Sequence, residues 1–266
     1  MINTTEYKPY HGAWINKVAP HKSKKLRKDN ASELLKGGGY FVRNTYNFDI
    51  AEGRQFWYVI KDSYGGIEEL PSKVRNQVRK SLKTYDFRKV DAKEMIEKGF
   101  ELYNQSRERF GKELQVTYEG FSNRCNNPGQ DFWLGIDRET GKAECLAFNR
   151  CFEDYCSYAS MGVNPNAPKS TYPMYGLILE MNRYYLEELG LKYVMDGARS
   201  ITEHSNIQPF LEEKFKFRKA YCELQIFYKP IVGIAVKILF PFRKLIKHPK
   251  VAAILRQEAW ARGLEK

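Results

Sequence analysis

Residues Thr171 to Ser200 read TYPMYGLILEMNRYYLEELGLKYVMDGARS, and NIQPFLEEKFKFRKAY follows from Asn206 to Tyr221. The spacing predicts a helix, a buried strand, a second helix and the opening of another strand. Thr171 suits the cap of the first helix, Pro173 its first turn and Gly190 the residue just past its end. Leu177, Ile178, Met181, Tyr184, Tyr185 and Leu189 fall on one helical face, which predicts packing against a sheet. Tyr193, Val194 and Met195 then form a short apolar run ending at Asp196-Gly197. That places polar residues at the carboxyl end of a strand, where ligands gather in α/β sheets.

Working outward, the upstream residues supply the rest of a sheet. Asp86 to Val90 predicts a strand, and Asp91 with Glu94 makes a capping-box-like start to a helix running through Phe110. Met95, Ile96, Phe100 and Tyr103 face inward on it. A shorter helix covers Tyr118 to Asn126. Three strands follow, Phe132–Asp137, Ala143–Phe152 and Tyr155–Val163, with Glu139-Thr140-Gly141-Lys142 as the turn between the first two. Nearer the N-terminus, Tyr40–Tyr46 and Phe56–Lys61 predict strands, with Gly37-Gly38-Gly39 as a turn or linker before the first. Ser72 to Lys83 predicts a basic amphipathic helix. Leu70, Val74, Val78 and Leu82 line one side of it, and Lys73, Arg75, Arg79, Lys80 and Lys83 cover the others. Residues 1–37 show little periodicity and carry the basic run Lys22–Lys28. Beyond Leu224–Tyr228, a further strand, Ile231 to Ile246 is apolar but too short to span a bilayer, and Lys237, Pro241, Arg243 and Lys244 interrupt it. It is either a membrane-surface segment or a helix docked on the core or on a twin subunit. Val251 to Trp260 predicts a last helix.

Composition narrows the partners. A net charge of +12 favours an anionic one: RNA, an acidic membrane face or a phosphorylated carrier. The 18 Tyr and 16 Phe exceed what a core alone needs, which favours a groove or an interface. Cys125, Cys145, Cys151, Cys156 and Cys222 are odd in number and lack C-x-x-C spacing, so neither a zinc site nor a secreted disulfide framework is expected. No metal site is expected. Met1 to Tyr10 is polar and does not read as a signal peptide, so a cytoplasmic protein is expected, peripheral on the inner membrane face if the 231–250 segment engages lipid.

The order of elements around Asn206, Pro209 and Phe210-Leu211-Glu212-Glu213-Lys214-Phe215-Lys216-Phe217 resembles the second half of the GNAT acyltransferase fold. Trp57-Tyr58-Val59-Ile60 and Leu70 to Lys80 resemble the strand and basic helix ahead of the core in proteins related to the Fem peptidoglycan aminoacyltransferases. The resemblance covers roughly residues 55 to 230. It implies an α/β (α+β) GNAT-like fold with a central mixed twisted sheet flanked by helices. An N-terminal extension over 1–85, a core over 86–230 and a C-terminal basic amphipathic tail over 231–266 are expected. It also implies an acyl donor, either acyl-CoA or aminoacyl-tRNA, and an amine acceptor. GNAT enzymes usually hold the coenzyme A pyrophosphate on a glycine-rich loop at a helix N-terminus. Here that place reads Gly162 to Gly176, with Pro165, Pro168 and Pro173, which have no N–H to donate. The Tyr that often acts as general acid in the last helix is replaced by Leu211 or Glu212, and Lys216 stands where a Gly is usual. Fem proteins also depart from the pyrophosphate loop.

Acyl transfer to an amine needs an acceptor stripped of its proton, a donor to the carbonyl oxygen and a grip on the carrier. His204 is a candidate base or a mere cap. Asp196 can orient the acceptor ammonium or simply begin a turn. Tyr172 and Tyr175 can donate to the carbonyl oxygen or pack. Val163, Arg199 and Asn206 complete the candidate cofactor-binding set, Arg199 through its planar fork. Two readings follow. One is an N-acyltransferase acting on an amine of a cell-envelope or lipid-linked acceptor. The other is a non-catalytic basic module binding RNA or an anionic membrane, and a homodimer fits either.

Overall fold

The computed structural model describes residues 6–51, 53–108, 111, 115–201 and 206–264. In chain order the elements are β1 (Tyr7–Tyr10), β2 (Ala13–Asn16), α1 (Lys28–Lys36), β3 (Phe41–Ile50), β4 (Phe56–Lys61), α2 (Ser72–Thr84), β5 (Tyr85–Val90), α3 (Ala92–Arg107) and α4 (Tyr118–Cys125). There follow β6 (Gln130–Asp137), β7 (Ala143–Cys151), β8 (Tyr155–Val163), α5 (Pro173–Asn182), β9 (Tyr193–Ala198), α6 (Ile207–Phe215), β10 (Arg218–Tyr228), α7 (Pro230–Leu239) and α8 (Pro249–Ala261). The strands make a mixed sheet flanked by helices. The chain forms two compact units: a larger one, Val59–Gly197 with Asn206–Arg218, and a smaller one, Met1–Tyr58 with Ala198–Ser205 and Lys219–Lys266.

In the larger unit the strands run β4-β9-β8-β7-β6-β5. Hairpins make β5 through β8 antiparallel, whereas β8 and β9, joined through α5, are parallel. One face buries Met95, Leu102, Tyr103, Phe121, Leu134, Leu146 and Phe148 beneath α3 and α4. Asp91 caps α3 as its spacing predicts, accepting from the Glu94 amide, and Thr117 caps α4 in the same way. The end of the α3 helix expected through Phe110 lies outside the described residues beyond Glu108. On the other face α5 packs against β5, β6 and β7, and α2 packs on α5.

Two local expectations are corrected here. Thr171 does not cap α5; Tyr172 does, in the left-handed conformation at φ 54°, with no side-chain cap bond. The Thr171 hydroxyl is already engaged, donating to the Pro168 carbonyl and accepting from the Tyr85 phenol. Leu189 is 48% exposed rather than inward. The helix widens into a π turn over Arg183–Glu188, shown by the Leu189 amide bonding the Tyr184 carbonyl. That extra residue per turn rotates Leu189 off the face the 3.6 period assigns to it. It also lets the adjacent Tyr184 and Tyr185 rings both reach Trp133.

The smaller unit holds β1-β2-β3-β10, with β2 and β3 parallel. Residues 1–37, which show little periodicity, nevertheless supply β1, β2 and α1. Tyr7, Leu26, Ala31, Leu34 and Leu35 pack around Val42 of β3. In the same unit α7 packs Val236 and Phe240 against Leu255 and Ala259 of α8.

Candidate functional site

β8 and β9 begin side by side and then part. Their parallel pairing is Tyr155 to Tyr193, Cys156 to Val194 and Ser157 to Met195, and it stops there. β8 continues to Val163 with β7 as its strand neighbour, and β9 continues to Ala198. From Tyr158 onward, the side of β8 that faces β9 has no strand partner among the described residues. A bulge opens at the same level, where Ala159 is passed over between Tyr158, paired with Asn149, and Ser160, paired with Phe148. Such bulges turn backbone groups out of the regular ladder. Beyond these three pairs, that edge of β8 is left, among the described residues, without a strand to satisfy its backbone amides and carbonyls.

Asp196 is the first residue of β9 beyond the pairing. Burial pushes its carboxyl up from the ordinary carboxylate range to about 7, opposed in part by the side-chain hydrogen bond with Gln208 of α6. A carboxyl at that value exchanges a proton near neutrality, the requirement for a general base. The α6 helix that holds Gln208 also carries Phe210, whose ring meets Tyr175 edge-on at 5.2 Å between centroids. Tyr175 in turn meets Tyr172 at 5.6 Å, at the head of α5. One short helix therefore ties the Asp196 carboxyl to the two tyrosines. Tyr175 is raised above the ordinary phenol value by burial, so it stays protonated and able to donate. Val163 closes β8 opposite Cys145 and is half-buried.

The first turn of α5 decides what it can grip. Pro173 has no N–H, the Tyr175 amide donates to the Tyr172 carbonyl at 2.9 Å, and the buried Gly176 amide donates to Ser81 Oγ at 3.2 Å. A Cβ at Gly176 would collide with the Phe87 ring and with Ser81. This glycine thus serves the packing of α5 on α2 and β5, not the approach of a phosphate. Part of the preceding loop is bonded as well: the Asn164 amide donates to the Glu144 carbonyl at 2.9 Å and the Asn166 amide to Asn164 Oδ1 at 2.9 Å. With three prolines and these amides engaged, the segment lacks the glycine-rich form of the usual coenzyme A pyrophosphate loop.

The remaining candidates have their own surroundings. Arg199 belongs to the smaller unit, where its guanidinium lies between the Trp57 and Trp260 rings, 4.1 and 4.0 Å from their centroids, and donates to the Gln55 carbonyl at 2.5 Å. Asn206 is exposed at the head of α6, where its carbonyl accepts from Phe210 and its side chain makes no cap bond. His204 lies outside the described residues. Lys216 adopts φ 60° where the motif usually has Gly, so the turn after α6 is kept without the glycine. No group of three or more His, Cys, Asp and Glu among the described residues is placed to hold a metal ion.

Sequence reasoning missed Gln208 and Ser81. Gln208 carried no signal beyond its place near a helix start. Ser81 had one: on α2 the buried positions are Val74, Val78 and Ser81, not the fourfold series ending in Leu82. A small polar residue in that stripe opposite a helical glycine marks a close helix crossing.

No protein-family model and no curated protein matches the chain. Among solved structures, it is similar to FemX, with a TM-score of 0.55 and 11% identity over 82% of this chain and 77% of that one. It is similar also to the C-terminal DUF2156 domain of a protein assigned as a lysylphosphatidylglycerol synthetase from Agrobacterium fabrum, with a TM-score of 0.56 and 12% identity over 88% and 84%. A third likeness is to L-PGS from Bacillus licheniformis, with a TM-score of 0.53 and 12% identity over 88% and 83%. At such identities the likeness carries the fold alone: the chain shares its mixed-sheet α/β fold with FemX and with these two proteins.

Proposed function

We propose that this GNAT-fold chain is an N-acyltransferase that moves an aminoacyl group from tRNA to an amine on a cell-envelope or lipid-linked acceptor. The observation that carries it is the parting of β8 from β9, with Asp196 next after the last pair and its carboxyl pushed up to about 7 by burial. In the proposed step the Asp196 carboxylate takes a proton from the acceptor ammonium. The free amine attacks the ester carbonyl carbon, a C–N bond forms, and the C–O bond to the tRNA ribose breaks. The attacking nitrogen loses its second proton as the amide forms, the departing ribose oxygen takes one, and the proton first taken by Asp196 passes to solvent, so charge and atoms balance. The amides of β8 beyond Ser157 and the hydroxyls of Tyr172 and Tyr175 support the carbonyl oxygen as it gains charge. Lys73, Lys80 and Lys83 stand exposed along α2 and suit the phosphates of a polynucleotide carrier.

The engaged Tyr175 and Gly176 amides and the absence of an N–H at Pro173 support an aminoacyl ester over an acyl-CoA thioester as donor. The non-catalytic reading has less support, since carboxyls raised toward neutrality gather at functional sites.

The test supplies the protein with total tRNA charged with labelled amino acids and a membrane lipid extract, in parallel with labelled acetyl-CoA. Label is expected in an alkali-stable amide product from the tRNA arm, and Asp196→Asn is expected to lower the rate by about 10²–10⁴-fold. Turnover of acetyl-CoA alone would overturn the donor assignment while keeping acyl transfer. Consumption of neither donor would overturn the transferase reading.

A further inference from the structure

The α7 helix is held by one side only. Val236 and Phe240 are buried against α8. On another face, Ile231, Ile234 and Ile238 repeat at helical spacing and are 83%, 61% and 62% exposed. Phe242 and Leu245, 57% and 76% exposed, continue the apolar surface past the helix end. Five large apolar side chains open along one short segment form a patch, which marks an interaction surface rather than scattered exposure.

Charge identifies what covers it. No Asp or Glu occurs from Lys229 to Gln257, whereas Lys237, Lys244, Lys247 and Lys250 are all exposed. We propose that this face lies on an anionic lipid bilayer, with the five apolar side chains entering the boundary between headgroups and acyl chains and the lysines meeting lipid phosphates. Apolar residues beside cations are the two elements of such a surface helix. With ten residues, α7 is about 15 Å long and lies along a bilayer rather than across it. No helix among the described residues is long and apolar enough to cross a membrane. A second copy of the chain fits less well, because a two-fold contact would set one all-cationic segment against another. A polynucleotide would satisfy the lysines and leave the isoleucines in water.

The inference stands apart from the transfer reading. The test floats the full-length protein with vesicles of phosphatidylcholine alone or mixed with phosphatidylglycerol. Binding to the mixed vesicles is expected, weakened by salt and reduced about tenfold or more in Ile234→Asp/Ile238→Asp and in Lys244→Glu/Lys247→Glu. These positions are exposed, so unchanged thermal melts are expected for both variants. Asp196→Asn is expected to float like the unaltered protein. Failure to float with mixed vesicles, or flotation of both double variants equal to that of the unaltered protein, overturns the proposal. A dimer in sedimentation that Ile234→Asp/Ile238→Asp dissolves, with no vesicle binding, assigns the face to a second copy instead.

Discussion

At the scale of one residue, Asp196 sets function against stability. Its folded value of about 7 lies above the ordinary 3.8. The folded state therefore holds a proton that the unfolded state has released between those values. Stability is fully present below about pH 4, falls as pH rises, and levels off above about pH 7. Under the proposed function activity runs the other way, because the base form appears as pH passes 7. Asp196→Asn is thus expected to raise the melting temperature at pH 8, leave it little changed at pH 4, and abolish the rise in rate near neutrality. Calorimetry at the two pH values checks the first part. A melt at pH 8 no higher than that of the unaltered protein would mean the carboxyl is not held in a desolvating site. The sequence placed Asp196 at a strand end, but its burial comes from α6 and the sheet, which are distant in the chain.

At the scale of the element, α5 shows how a helix is fixed by what crosses it. The apolar spacing correctly picks out Leu177, Ile178, Met181 and Tyr185 as buried. The close crossing with α2 depends on Gly176 meeting Ser81 and Phe87, a pairing no local pattern contains. Ser81→Ala would leave the buried Gly176 amide without its acceptor, at a cost of about 1–3 kcal/mol. Urea unfolding measures it. A loss below about 0.5 kcal/mol would mean the amide finds another partner on relaxation. The π turn at the end of α5 is also a tertiary outcome. Tyr185 OH accepts from Trp133 Nε1 at 2.9 Å and from Asn149 Nδ2 at 3.2 Å, and both bonds hold the helix out of its regular period.

For the whole molecule, the net charge of +12 governs long-range attraction. Under the proposed function, Lys73→Glu/Lys80→Glu/Lys83→Glu is expected to weaken tRNA binding. The slope of log affinity against log salt should become shallower by about 2–3, since each phosphate no longer neutralised by a lysine removes about 0.7–0.9 from it. Filter binding over a salt series checks this, and an unchanged slope would move the tRNA surface off α2. Charge, the cap of α3, the strand limits of β4 and β8 and most of the helical faces were legible in the sequence, because each rests on neighbours a few residues apart. Residues 1–37 were not, because β1, β2 and α1 lack periodicity and are held by burial around β3. Only the tertiary structure decided that β8 and β9 part after three residue pairs, that the first-turn amides of α5 are spent on Tyr172 and Ser81, and that Arg199 is enclosed by Trp57 and Trp260. Each of these depends on segments brought together across long stretches of chain, where the deciding quantities are burial and close approach rather than local preference.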